Sequence, residues 1–162
     1  MTPPPPAGRP DRTPDPAFAA RFTLSLDKQD VGSFSEIGGL AVTIDVEELV
    51  EGGQNGFTYR LPRGMKWANV VLKRGVTDAD VLLPWLAEYS GPGLDALEGK
   101  GFKLPTRTAT ITVHDAKGNP VRAWSLEGAY PLRWTGPRFA ASARDLAMEE
   151  LEVCHRGLYA SS

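Results

Sequence analysis

The sequence is poor in the chemistry that usually marks a catalyst or a stapled secreted domain. Of its 162 residues only one is cysteine, Cys154, so no internal disulfide can form, which fits folding in a reducing cytoplasm. Only two histidines occur, His114 and His155, with no set of Cys or His at ligand spacing around either, so no metal site is expected. Cys154 directly precedes His155, but neighbours on a strand point to opposite faces, which disfavours a thiol–imidazole pair. A GxSxG elbow and an HExxH motif are both missing. Positive charge is not in excess: 18 Lys and Arg stand against 20 Asp and Glu, a net charge of -2, which argues against an electrostatically driven, sequence-specific nucleic-acid partner. No run approaches the roughly 18 to 20 consecutive apolar residues that cross a bilayer, so no membrane partner is expected. The N-terminus also lacks the charged-then-apolar pattern of a signal peptide. These absences leave a non-enzymatic role, with no cofactor, as the expectation.

Proline is abundant but unevenly placed. Seven of the fourteen prolines lie in residues 1–17, MTPPPPAGRPDRTPDPA, which reads as a disordered or extended tail. From Phe18 the composition becomes that of a folded unit without internal repeats, so residues 18–162 are expected to form one domain.

Period-two alternation dominates that unit. Phe22, Leu24 and Leu26 alternate with polar residues, as do Val42, Ile44 and Val46 with Thr43, Asp45 and Glu47. Between them come a turn at Asp27 to Gly32 and the stretch SFSEIGGL, whose Gly38-Gly39 pair permits a sharp bend or bulge. Phe57, Tyr59 and Leu61 predict a further strand, and Ala68, Val70 and Leu72 another. EGGQNG, Glu51 to Gly56, suits the tip of a long hairpin. It does not suit a phosphate loop, which needs a lysine, then Ser or Thr, and a helix directly after.

Leu82, Trp85, Leu86 and Tyr89 fall on one helical stripe, with Thr77 as a candidate N-cap and Gly91 as the stop. Pro84 either kinks this helix or marks the first turn of a shorter one. Residues Gly91 to Pro105 read as a long loop. Ala109, Ile111 and Val113 predict a strand that the DAKGNP turn joins to a strand over Val121 to Tyr130. Leu146 to His155 fits a helix loosely and a strand imperfectly. The carboxylates Asp45, Glu47, Glu48, Glu149, Glu150 and Glu152 lie on polar sides of such segments and read as a solvated face.

"VGSFSEIGGLAVTIDVEELVEGGQNGF", followed by "RLPRGMKWANVVLKRGVTD", "AWSLEGAYPLRWTGP" and "EELEVCHRGL", resembles the inner-tube proteins of contractile phage tails and contractile injection systems. The likeness runs from Phe18 to Leu158, with its motifs in the family's order. It implies a mainly β fold: a small antiparallel β-barrel or sandwich with one flanking α-helix, and an extended β-hairpin contributing to an inter-subunit barrel. The closing segment is then a strand. The implied function is a structural subunit of the inner tube, self-assembling into stacked hexameric rings that form a conduit for cargo. A baseplate tube initiator of the same fold is the alternative, and a monomeric β-barrel binding a small ligand is the alternative of another class. The implied partners are further copies of the chain, the contractile sheath protein, baseplate and cap proteins, and protein cargo in the lumen. Assembly is expected in the cytoplasm, in a particle that can be released. Matched to this sequence, Val42 to Leu61 is the hairpin, Glu51, Gly52, Gly53, Gln54, Asn55 and Gly56 form its inter-subunit tip, and Asp45 and Glu47 face the lumen. The proline-rich tail and the loop after Gly91 depart from the family's compact pattern.

Overall fold

In the computed structural model the described residues are 21–49, 52–53, 56, 58–77, 81–91, 93, 104–138 and 147–161. The proline-rich segment 1–17 and most of the predicted loop 91–105 lie outside them.

The described residues begin with a hairpin of β1 (Arg21–Leu26) and β2 (Gln29–Phe34). Its turn is Asp27-Lys28, both at positive φ (49° and 72°), which gives the two-residue primed turn that suits twisted strands. The sequence predicts a turn over Asp27 to Gly32. The polar run QD hides a strand there, because only the two tip residues are needed to reverse the chain.

β1 pairs with β7 (Arg107–His114), and β7 pairs with β8 (Pro120–Thr135). β8 serves two sheets. Up to Ala129 it pairs with β7 and also with β10 (Gly157–Ser161); from Tyr130 onward it pairs with β9 (Met148–Cys154). Gly128, at φ +61°, marks the changeover, and a β-carbon there would stand 2.4 Å from Nε of Arg156. β9 pairs with β6 (Val70–Gly75), and β6 with β3 (Glu36–Gly38). All pairings are antiparallel.

The path therefore runs β2-β1-β7-β8-β9-β6-β3. Its two ends, β2 and β3, are consecutive in sequence with only Ser35 between them. The Ser35 N–H and hydroxyl both donate to the Lys73 carbonyl, at 2.9 and 3.1 Å. Among the described residues the sheet thus curls back on itself without a closing ladder, so the fold is mainly β and sandwich-like, and the barrel remains open.

The core fills this curl with Leu24, Leu26, Val31, Phe34, Val70, Leu72, Ala109, Ile111, Leu126, Ala129, Leu151 and Val153. Alternation along β9 puts Glu149, Leu151 and Val153 inside, which settles the ambiguous closing segment as a strand. Each fully buried Leu, Ile or Val contributes about 1.5–3 kcal/mol.

Helix α1 (Leu82–Ala87) adds Leu82 and Trp85 to the core. It is shorter than the stripe predicted. Its N-cap is Val81, without a side-chain cap bond, and not Thr77. Pro84 explains the difference: in the first turn its missing N–H costs nothing, whereas a start near Thr77 would place it in the helix interior. Gly91, at φ +50°, follows the last turn.

Candidate assembly interface

β3 and β6 form one end of a longer ribbon. β4 (Val42–Leu49) and β5 (Tyr59–Trp67) continue it as a separate two-stranded sheet. The register passes through the joint with no residue gained or lost: Gly38 faces Val71, the Ala68 N–H donates to the Ala41 carbonyl at 3.1 Å, and Val42 faces Trp67. At the joint Gly39 has φ +82°, and a β-carbon on it would lie 1.9 Å from the Asn69 carbonyl oxygen. Only glycine allows the two strands to cross there. SFSEIGGL is therefore the piece of chain that leaves β2, pairs briefly with β6 and launches the arm.

The arm is exposed on both sides. Directly opposed residues share a face, so Val42, Ile44 and Val46 stand with Trp67, Met65 and Pro62. Ile44 is 53% exposed and Met65 58%. Amphipathic strands normally bury such a face against their own domain; this one lies uncovered among the described residues, with a cleft of about 320 Å³ between Ile44, Pro62, Gly64 and Met65.

The opposite face carries Thr43, Asp45 and Glu47. Lys66 Nζ lies 2.6 Å from Asp45, and Arg63 NH1 3.7 Å from Glu47. Near the far end of the arm Arg60 pairs with Glu48 at 3.0 Å, on the same face as Val46. Sequence reading singled out the carboxylates and missed these cations. A register shift after Asp45 leaves Arg63 as an extra residue in β5. It moves Leu61 to the polar face while Met65 stays on the apolar one. Strict alternation in RLPRGMKW would have put Leu61, Arg63 and Met65 on one side.

Of the predicted tip, Gly52, Gly53 and Gly56 are described, with open space around each. Glu51, Gln54 and Asn55 lie outside the described residues.

Two strand edges flank the ribbon. β8 from Tyr130 to Thr135 pairs with β9 on one side, and among the described residues no strand pairs with its other side. β3 and β4 likewise pair only with β6 and β5. β8, β9, β6 and β3 thus make a four-stranded antiparallel sheet with one open edge at each side. Its face opposite Leu151 carries charges tied across strands: Lys73 to Glu36 at 3.0 Å, Arg133 to Glu152 at 3.0 Å, and Asn69 Nδ2 to Glu152 at 2.8 Å.

The family model described as "T4-like virus tail tube protein gp19" matches residues 18–159. The chain belongs to this family. Solved structures share its fold across nearly the whole length. A chain in the sheath–tube complex of an extracellular contractile injection system (PVC), in the extended state, is 20% identical, with a TM-score of 0.73 over 93% of this chain and 94% of that one. One from the sheath/tube terminator of such a system is 21% identical, with a TM-score of 0.72 over 91% and 97%. A chain in the baseplate of the anti-feeding prophage is 23% identical, with a TM-score of 0.70 over 90% and 95%. No curated protein matches the sequence. As a tail tube protein, the chain is a structural component of a contractile, phage-tail-like assembly, and its exposed arm is the candidate contact between subunits.

Proposed function

We propose that the chain is the repeating subunit of the inner tube of a contractile injection system or phage-tail-like particle, and that its copies form stacked six-membered rings. The observation that carries this reading is the β4–β5 arm: a long ribbon in register with the body, yet exposed on both faces. An isolated two-stranded ribbon is marginal in water. A neighbouring copy that covers Val42, Ile44, Val46 and Met65 supplies the third layer it lacks.

The strand edges supply the geometry for closing a ring. An even number of strands per copy makes the edge of β8 in one copy antiparallel to the edge of β3 and β4 in the next. Such a head-to-tail contact closes when its rotation permits, and closure removes edges that would otherwise aggregate. In this arrangement the apolar face of the arm turns toward protein, and the face of Asp45, Glu47, Arg63 and Lys66 turns toward the lumen. The tip Glu51 to Gly56 reaches the adjacent ring. Sheath protein surrounds the tube, baseplate and cap proteins bound its ends, and protein cargo occupies the channel. Residues 1–17 form a tail outside the domain of residues 18–162. Assembly takes place in the cytoplasm, and no catalytic step belongs to this role.

Electron microscopy of the full chain, expressed together with its sheath and baseplate neighbours, tests the proposal. Hollow tubes of stacked six-fold rings are expected. Tube stubs one ring long would reassign the chain to initiation at the baseplate, and a monomer under every condition would overturn the assembly reading.

A further inference from the structure

His155 lies at the kink where β9 ends and β10 begins, and it is buried, only 7% exposed. Its Nε2 is 3.0 Å from the carbonyl oxygen of Ala68, the residue at the root of the arm. A carbonyl can only accept, so Nε2 carries a hydrogen and donates it to Ala68. Nδ1 is buried and has no hydrogen-bond partner among the described residues. The imidazole also lies against Trp67, with ring centroids 6.0 Å apart.

A buried polar atom without a partner costs stability, and an apolar side chain of similar size would avoid that cost. The chain nevertheless places an imidazole at this position, where the only hydrogen bond the ring makes among the described residues is to the backbone of the arm root. On the other strand of the joint, Gly39 passes close over Asn69, and Asn69 is tied to Glu152 of β9. The arm is thus gripped from the body at two consecutive residues, Ala68 by His155 and Asn69 by Glu152.

We infer that His155 is a positioning residue for assembly: its bond to the Ala68 carbonyl fixes the angle at which the β4–β5 arm leaves the body, and so presents the arm to the next copy. The inference rests on the tube-subunit reading for its consequence, although the brace itself is a property of the single chain. It also separates two roles of the side chain. Packing against Trp67 needs only bulk, whereas holding the arm needs a donor directed at Ala68.

Two variants of the full chain separate these roles. His155→Leu keeps the bulk and loses the donor; His155→Gln keeps a donor N–H at a similar reach. Hydrogen exchange in the unassembled chain reads the brace, and electron microscopy with the sheath and baseplate partners reads its consequence. In His155→Leu, protection of the Ala68 amide is expected to fall roughly five- to tenfold, the worth of one hydrogen bond. Amides of Ile111 and Trp124 in the body, which open with the whole domain, should lose no more than that factor, and tube yield should drop. His155→Gln should recover both protection and tubes. Unchanged protection at Ala68 in His155→Leu, a larger loss in the body than at Ala68, or failure of His155→Gln to do better than His155→Leu would each overturn the inference. Wild-type chain that forms no tubes, with the Ala68 effect intact, would instead sink the tube-subunit reading and leave the brace standing.

Discussion

Gly39 and Asn69 cross so closely that a single added carbon would not fit: a β-carbon on Gly39 would sit 1.9 Å from the Asn69 carbonyl oxygen and 2.9 Å from its carbonyl carbon. The obstacle is backbone, which cannot swing aside like a side chain. The positive φ adds its own penalty for any residue with a side chain.

Gly39→Ala should therefore destabilise the chain by at least about 2 kcal/mol, from the left-handed backbone and the clash together. Tube formation should be lost even where the body still folds. Gly38→Ala is the control, since nothing lies within 4 Å of its β-carbon, and it should stay within about 0.5 kcal/mol of wild type. Urea denaturation followed by tryptophan fluorescence measures both, and equal behaviour of the two variants would contradict the role given to the joint.

Arg74 and Glu149 form a buried ion pair, with side chains 5% and 9% exposed. Trp134 Nε1 donates to the other carboxylate oxygen at 3.0 Å, and the guanidinium lies 5.3 Å from the centre of the Phe34 ring. Glu149→Leu leaves the guanidinium buried and unpaired, and should cost about 3–5 kcal/mol. The double variant Arg74→Met with Glu149→Leu should recover most of that loss, because it removes both charges at once. Denaturant midpoints of the three chains test this. A double variant as unstable as the single one would mean that the pair contributes more than charge compensation.

Much of the fold was legible because one face of most body strands is buried, so that apolar and polar residues alternate. Leu24 and Leu26, Ala109 and Ile111, and Leu151 and Val153 all follow that rule and all lie in the core. β2 was not legible as a strand: it lies at one end of the sheet, and Gln29, Asp30, Gly32 and Ser33 give it the look of a turn. The stripe Leu82, Trp85, Leu86 and Tyr89 overstates the helix because Tyr89 lies past its last residue, in a turn whose N–H bonds reach back three residues, from Tyr89 to Leu86 and from Ser90 to Ala87. The site was half legible. Asp45 and Glu47 stood out as carboxylates on a strand, but their partners Lys66 and Arg63 could be assigned only with the register. A bulge of one residue sets that register, and it leaves no periodic trace. His155 looked inert beside Cys154, since its partner is a backbone carbonyl, to which side-chain motifs are blind.

Asp115 gives the turn between β7 and β8 a dependence on acid. Hydrogen bonds from the backbone and side chain of Asn119, and then from the Lys117 backbone, hold its carboxyl below the usual value of 3.8. A carboxyl lowered in the folded state adds stability above its unfolded value and loses it as pH falls through the lowered one. Amide resonances of Lys117 and Asn119 should therefore stay unchanged from neutral pH down to about 4, and shift together below the usual carboxylate value. Movement of either amide near neutral pH would show that another group governs the turn.

The pairing of Asp45 with Lys66 and of Glu47 with Arg63 changes what a channel lined by this face would present. Carboxylates alone would give a ring of negative charge, whereas each here stands beside a cation on the neighbouring strand. Exposed pairs of this kind contribute about 0.2–1 kcal/mol each, so their larger effect is on the field. Paired charges cancel within a few ångströms, well inside the roughly 8 Å screening length of physiological salt. The proposed lumen is therefore wet and hydrogen-bonding but nearly neutral, a surface along which protein of either charge sign can slide. Cysteine placed at Asp45, in a chain carrying Cys154→Ala, tests the facing. In assembled tubes it should react with a small maleimide, and resist one carried on a polymer too wide to enter the channel; in the unassembled chain both should react. Ready labelling of intact tubes by the wide reagent would put Asp45 on the outer surface, and the neutral face would then belong to the sheath side.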